Sequence, residues 1–212
     1  MPRAGLNSGA VLATAVALAD SDGLETLTVA KLASFLGIKA PSLYNHILSL
    51  EGLKDSLTTQ GLRSLLDRSR DAMAGVAGQD ALEALGHSQR SFAKEHPGLW
   101  AAAQLPVAGW SEASQTAANA YLALLLAVLR GYGVTGDAAI HAARFIRASL
   151  RGFIDLELGG GFGLPQNVDA SFSTLLKMLD AGMRTLLDTS ASAGPLSHAE
   201  ERSKRSVLVA SR

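Results

Sequence analysis

Between positions 39 and 46 the chain carries Lys39, Ser42, Tyr44, Asn45 and His46, set among the apolar or small residues Ile38, Ala40, Pro41, Leu43 and Ile47. These side chains suit recognition by hydrogen bonding. Ser, Asn and Lys match the donors and acceptors of base edges and phosphate oxygens, and a Tyr hydroxyl and a His ring can donate to phosphate. Tyr44 can also be read as a core-edge aromatic and His46 as a merely exposed side chain.

Such a face needs rigid support, and the flanking sequence supplies it. Asn7 or Ser8 caps a helix predicted to run to about Ser21, with Val11, Leu12, Ala15, Val16, Leu18 and Ala19 forming its apolar stripe; Asp22-Gly23 ends it. Thr28 caps a second helix, Val29 to Leu36, which Gly37 breaks. Pro41 is tolerated in a first turn, so a third helix is predicted from about Ala40 to His46. Two short helices joined by a Gly-containing turn form a helix-turn-helix. Leu32, Ala33, Leu36, Ile38, Leu43 and Ile47 are spaced to share a small core with the first helix, Ala33 being small where the helices cross. Gly37 supplies the positive φ of the turn. The polar side of the third helix is then left for the major groove. The start of the second helix, at Thr28, offers free N–H groups to a phosphate.

The rest of the chain reads as helices. Ser49 caps a fourth, Leu50 to about Met73, followed by a break over Gly75 to Gly78 and a helix from about Asp80 to Glu95. His96-Pro97-Gly98 stops that helix, Leu99 to Ala103 makes a short helical turn, and Pro106 to Trp110 a loop. Three longer helices span about Ser111 to Tyr132, Gly136 to Leu158 and Asp169 to Thr189, the last two separated by the linker Gly159 to Pro165. From Ser190 onward the chain is Ser, Ala and charged residues, read as a disordered tail in which Glu200 to Arg205 is a solvated mixed-sign run. No strand pattern occurs. The expected class is all-α: a helix-turn-helix domain over residues 1–50, a helical body over 51–190 and a tail over 191–212.

Composition narrows the function. The 212 residues are 48% hydrophobic, enough for a sizeable core, with formal net charge +0, so any nucleic-acid binding must rest on a local surface. With no cysteine, disulfides and Cys-ligated zinc are excluded, which suits a reducing cytoplasm. Ala10 to Ala19 imitates a signal-peptide core ending in Ala17-Leu18-Ala19, but the basic segment before it is a single Arg3, and cleavage would remove the first helix of the motif. Tyr121 to Leu129 is apolar but far shorter than the ~20 residues of a membrane span. No nucleophile elbow, phosphate loop, zinc motif or paired-carboxylate signature occurs, so neither an enzyme nor a cofactor is expected. His87, His96 and His141 lack partners at metal spacing, and His96 is expected to end its helix.

A helix ending at Gly23, then L-T-x-x-x-L-A-x-x-L-G-I, S-L-Y-N-H and a helix opening S-L-E-G-L closely resemble the tetracycline-repressor (TetR) family over about residues 8 to 57. The resemblance implies an all-α homodimer whose third helix reads DNA, with a ligand pocket and the dimer interface in the body. It implies phosphate contacts for Thr28, Tyr44 and His46, and a groove-facing set of Lys39, Pro41, Ser42 and Asn45. Two positions depart: Ile47 replaces the usual Phe, and Leu50 replaces a usual Lys, removing a cation expected to touch a phosphate. Residues 1–70 hold seven Lys+Arg and six Asp+Glu, so a shallow salt dependence of binding is expected. The body, through His96-Pro97-Gly98-Leu99-Trp100, Arg151-Gly152-Phe153 and Gly161-Phe162-Gly163-Leu164-Pro165, resembles the WHG-type subgroup, with Arg147 and Arg151 at its Trp and His positions.

Phe92, Trp100, Trp110, Tyr121 and Phe153 are candidate pocket aromatics, with ordinary core packing as the other reading. Arg147 and Glu157 are candidate polar contacts there, or else an ion pair or solvated surface. Arg144, Arg147 and Arg151 recur on one helix, with Asp155 four residues after Arg151; a salt-bridged stripe, a dimer rim and an anionic-ligand clamp all fit. The last two helices carry wide apolar faces (Phe145, Ile146, Leu150, Phe153, Ile154; Phe172, Leu175, Leu176, Leu179, Met183, Leu186, Leu187), more than one body face needs, which suggests a four-helix dimer interface, the other reading being a monomer in which both faces are internal. The expected function is a cytoplasmic DNA-binding regulator, a repressor released from double-stranded operator DNA by a small-molecule effector. The alternative is a helical sensor or adaptor with a degenerate helix-turn-helix that does not bind DNA.

Overall fold

A computed structural model describes residues 6–107 and 109–192, with side-chain surroundings through residue 186. Arg3, Leu187 and the predicted tail from 193 onward therefore lie outside the described side chains. The described residues are helical and contain no strand: α1 Ser8–Asp22, a 3-10 turn Leu24–Thr26, α2 Val29–Leu36, α3 Ala40–Leu43, α4 Leu50–Ala72, α5 Gly78–Glu95, α6 Pro97–Ala103, α7 Glu112–Gly131, α8 Gly136–Leu158 and α9 Val168–Ser192. None of these helices is alone long and apolar enough to cross a membrane.

Most boundaries follow local chemistry. The Asn7 side chain accepts from the Ala10 N–H, Thr28 from Lys31, Ser49 from Gly52 and Ser111 from Ser114, each satisfying a donor left free at a helix start. Gly37, at φ 68°, closes α2 in the left-handed region. Several predicted elements differ in extent: α5 begins at Gly78 and α6 at Pro97, each two residues before its predicted start, and α3 and α9 differ at their ends. The α-helical part of α3 ends at Leu43, and residues 44–46 continue as turns whose N–H groups reach back three residues: Tyr44 to Pro41, Asn45 to Ser42 and His46 to Leu43. Bonds that reach back three residues are the tighter turn with which short helices commonly end. At the other end, α9 runs past the predicted stop at Thr189 to Ser192.

α4 is the central element, packed against α5, α6 and α7. Its N-terminal half faces α1, and the two helices bury Val11, Ala15, Leu18, Leu53 and Leu57 with Leu32 and Leu43 of the helix-turn-helix. Each buried Val or Leu among them contributes roughly 2 kcal/mol by leaving water. Leu36, Ile38, Ile47 and Leu50 pack half-buried at the rim.

The C-terminal helices use most of their apolar surface internally. Ile146, Leu150 and Ile154 of α8, and Phe172, Leu176, Leu179 and Met183 of α9, are buried within the one chain, with Phe153, Leu175 and Leu186 half-buried against them. The remaining apolar surface is smaller than the sequence suggested: Phe145 is 54% exposed, Leu156 53% and Met178, absent from the predicted face, 68%.

Arg90, only 8% exposed, locks the turn between α8 and α9. Its Nε donates to Glu157 at 2.6 Å, its Nη2 meets Asp169 at 2.7 Å, and its guanidinium lies 4.8 Å over the Phe172 ring. This one side chain ties the end of α8 to the start of α9 across the glycine linker.

Candidate functional site

The polar side of the helix-turn-helix is uncovered. Lys39, Pro41, Ser42, Tyr44 and Asn45 are exposed, His46 is half-buried, and Leu43 between them is fully buried as the anchor. The Ser8 hydroxyl donates to the His46 carbonyl at 3.0 Å, pinning the end of this segment to the start of α1. Thr28 is exposed; its Oγ accepts from the Lys31 N–H at 3.1 Å, which leaves its hydroxyl proton for another acceptor. Of the seven predicted contact residues, six are exposed and His46 is half-buried.

Electrostatically the face is thin. Lys31 Nζ is paired with Asp22 at 2.7 Å and donates to Thr26 at 2.8 Å, and its hydrogen bond holds the Asp22 carboxyl below its usual range. Lys54, one turn into α4, is paired with Glu51 at 3.2 Å. Among the described residues of α1 to α3, Lys39 is therefore the one cation without an ionic partner. Leu48, 98% exposed, precedes the α4 cap near half-buried Leu50.

The domain is joined to the body through α6, a feature the sequence did not disclose. Asp20 near the end of α1 accepts from the Gly98 and Leu99 N–H groups at 2.8 and 3.1 Å, capping α6 from outside, while its other oxygen lies 3.2 Å from His96 Nδ1. His96 does end α5, as its spacing suggested, and it also takes part in this joint. Gly98 lies directly on α1: a Cβ there would fall 2.5 Å from the Ala19 carbonyl oxygen. On the other side, a Cβ on Gly61 of α4 would fall 2.5 Å from the Leu99 carbonyl oxygen, and the buried Thr58 hydroxyl donates to the Ala102 carbonyl at 2.9 Å. α6 is thus held between α1 and α4 with almost no slack.

The C-terminal end of α6 forms one wall of a cavity of about 270 Å³, which Leu62, Val107, Ala118, Tyr121 and Arg147 also line. Of the predicted pocket residues, Tyr121 and Arg147 meet here. The Tyr121 ring is buried, and burial pushes its hydroxyl pKa up, so it stays protonated at neutral pH. The others are elsewhere. Phe92 is fully buried core, as its alternative reading allowed. Phe153 packs on Phe162 and Phe172 at ring distances of 4.8 and 5.1 Å. Trp100 donates its indole N–H to Asp155 at 2.7 Å and borders a separate cleft with Asp20 and Arg151. Trp110 is half-buried in the loop before α7, its carbonyl accepting from Gln115. Glu157 is committed to Arg90 and to Lys94, 2.8 Å away; the Arg90 hydrogen bond holds its carboxyl well down, at about 2. Gln104, Leu105 and Pro106, which complete the cavity wall, gave no signal in the sequence, because they are ordinary loop residues until the fold closes around them.

Arg151 pairs with Asp155 at 3.2 Å, as the predicted stripe requires. Among the described residues no cluster of His, Asp or Glu is arranged to hold a metal ion, and His87 instead packs edge-on against Phe172.

The fold and its exposed face define a helix-turn-helix protein with a helical body. A family model described as "Tetracyclin repressor-like, C-terminal domain" matches residues 82–179. The chain is 33% identical over 179 residues to the HTH-type transcriptional regulator Rv0681 of Mycobacterium tuberculosis, covering 84% of this chain and 82% of that one. It is 30% identical over 183 residues to the HTH-type transcriptional regulator YobS of Bacillus subtilis, covering 86% and 95%. Its fold is similar to that of a TetR variant from Acinetobacter baumannii solved with minocycline (TM-score 0.64, 24% identity, 86% and 98% covered). The chain belongs to the tetracycline-repressor family of helix-turn-helix transcriptional regulators.

Proposed function

We propose that this protein is an operator-binding repressor that acts as a homodimer and is released from double-stranded DNA by a small molecule. The observation that carries the reading is the uncovered polar face, in which Ser42, Tyr44 and Asn45 are exposed around a fully buried Leu43. On this reading Lys39, Pro41, Ser42 and Asn45 face the major groove, and Thr28, Tyr44 and His46 meet phosphates. Residues 1–50 then act as the DNA-binding unit and 51–190 as the sensing and dimerising body, working in the cytoplasm, where the DNA is. The body motifs named above support placing it with the WHG-type subgroup.

Dimerisation would use α8 and α9. Phe145 and Leu156 of α8 and Met178 of α9 are exposed apolar side chains, and a Cβ added at Gly152 or Gly182 on those helices would meet nothing. A glycine inside a helix costs about 1 kcal/mol relative to alanine, and close approach of a partner helix would offset that cost. The packing of α6 supports the release mechanism. A ligand in the cavity at the end of α6 would favour one position of that helix. Because α6 is held to α1 by Asp20 and Gly98, and to α4 by Gly61 and Thr58, its shift would change the spacing of the two reading faces in a dimer. A coupling of about 1–3 kcal/mol would suffice for regulation.

The test is a mobility shift of the purified protein on a library of host genomic fragments, repeated with Asn45→Ala. The expected result is a small set of selectively bound fragments that the variant loses while keeping its helical circular dichroism. A folded wild-type protein that retains no fragment selectively would overturn the repressor reading and put the DNA-free sensor in its place.

A further inference from the structure

The cavity at the end of α6 has apolar walls, from Leu62, Leu105, Val107 and Ala118, and three polar side chains: Gln104, Tyr121 and Arg147. Among the described residues none of these three side chains is hydrogen-bonded or ion-paired within the protein. Arg147 is exposed and, like Arg63, Arg130 and Arg144 but unlike Arg151, Arg90 and Arg184, has no carboxylate partner among the described residues; it is the one of these that lines a cavity beside a buried Tyr hydroxyl. No carboxylate lines the cavity. The Tyr121 hydroxyl remains a donor at neutral pH, and it lies close enough to Arg147 to feel its charge.

From this arrangement we infer that the cavity binds a small monocarboxylic acid, its carboxylate held by Arg147 and the Tyr121 hydroxyl and its apolar body against Leu62, Leu105 and Val107. Guanidinium presents a planar fork of N–H donors that matches a carboxylate with two parallel hydrogen bonds. The Gln104 amide can add a further donor. A cationic ligand would face Arg147 with no compensating anion. A neutral ligand would gain nothing from the charge of the exposed Arg147 guanidinium, which would stay solvated. A phosphate dianion is matched by more than one cation in most sites, and this cavity supplies one. At about 270 Å³ the space is just below the usual range of ligand pockets, ~300–1,000 Å³, which favours an aryl or medium-chain acid over an extended one. The inference rests on the reading of this cavity as the effector site, and it adds the ligand's chemistry.

The probes are benzoate, phenylacetate, hexanoate and octanoate, each paired with its primary amide, measured on the full chain by thermal shift and titration calorimetry. At least one acid is expected to bind and raise Tm, with its amide at least tenfold weaker. Arg147→Gln should weaken that acid at least tenfold while leaving the ligand-free Tm and the dimer dissociation constant unchanged, and Tyr121→Phe should weaken it severalfold. Binding by none of the acids, equal binding of acid and amide, or an Arg147→Gln protein that keeps full acid affinity would each overturn the inference. An unligated dimer weakened by Arg147→Gln would also overturn it, by assigning the guanidinium to a partner's carboxylate. Operator release separates this inference from the reading beneath it. If the acid binds through Arg147 but leaves DNA bound, the acid site stands and the effector role falls. If only neutral compounds release DNA, the effector role stands and the acid site falls.

Discussion

Residues 39–46 present their polar side chains to solvent from one short stretch of chain, whereas the cavity beside Tyr121 draws its wall from positions 62 to 147 on four helices and a loop. The first surface needs only a local scaffold: two caps, one left-handed glycine and a few leucines that fix which side faces out. The second exists only after α4, α6, α7 and α8 have packed. The two are joined by α6, whose first turn abuts α1 and whose last residues wall the cavity. On the proposed function, recognition is written in contiguous sequence, while sensing and its transmission are written in tertiary contacts.

The joint between the two regions is the place where the comparison breaks most readily. Gly98→Val forces a branched side chain into the Ala19 backbone, and overpacking of this kind costs about 1–3 kcal/mol. Urea unfolding should report that loss, and DNA binding should weaken with it as α1 is displaced; an unchanged midpoint would mean that α6 is not wedged as described. Next in size is the reading face itself. Asn45→Ala should cost about 1–3 kcal/mol of operator affinity and relax preference at one base position, without changing stability, as measured by fluorescence anisotropy on matched and mismatched duplexes.

The body should respond to acid through the ion pair that closes α8 onto α9. Arg90 holds the Glu157 carboxyl at about 2 against an ordinary 4.5. The folded form therefore prefers the ionised group, so this stabilisation is complete above about pH 4.5 and is lost as pH falls toward 2. Glu157→Gln should cost roughly 2 kcal/mol at pH 7, the scale of a hydrogen bond to a charged group. The gap between variant and wild type should close across that acid window in denaturant titrations; a gap constant from pH 7 to 2 would contradict the assignment. The smallest effect sharpens the description of the reading face as thinly charged. With Lys31 and Lys54 already paired, the slope of log affinity against log salt should be shallow, and Lys39→Ala, at a groove-facing cation, should lower its magnitude by less than the roughly 0.9 of a lost phosphate contact.

Legibility in the sequence follows the same division. Helix starts with a side-chain cap at Thr28 and Ser49, and at Asn7 as one of two candidates, were readable because the cap and its N–H partner are three residues apart, whereas Ser111, read as the first helical residue, is itself the cap. The recognition segment was readable as a motif, though its last turn tightened beyond what periodicity conveys. The aromatic residues of the body carried no such information. Phe92 and Tyr121 look alike in sequence, yet one is sealed in the core and the other lines a cavity, because helix packing decides between them. Glu157 and Arg147 were equally ambiguous as isolated charges. Arg90, 67 positions from Glu157, settled one of them and left the other without a partner. Asp20 and Gly98, which couple the two regions, are 78 positions apart, and neither belongs to a motif that points at the other.

The most direct test of the central claim, that residues 39–46 read DNA from a symmetric dimer, is selection of binders from a random duplex library with the purified full-length chain at low salt. The account predicts enrichment of an inverted repeat whose half-sites are spaced by about one or more helical turns, lost on Asn45→Ala. A folded wild-type protein that enriches no sequence would contradict it.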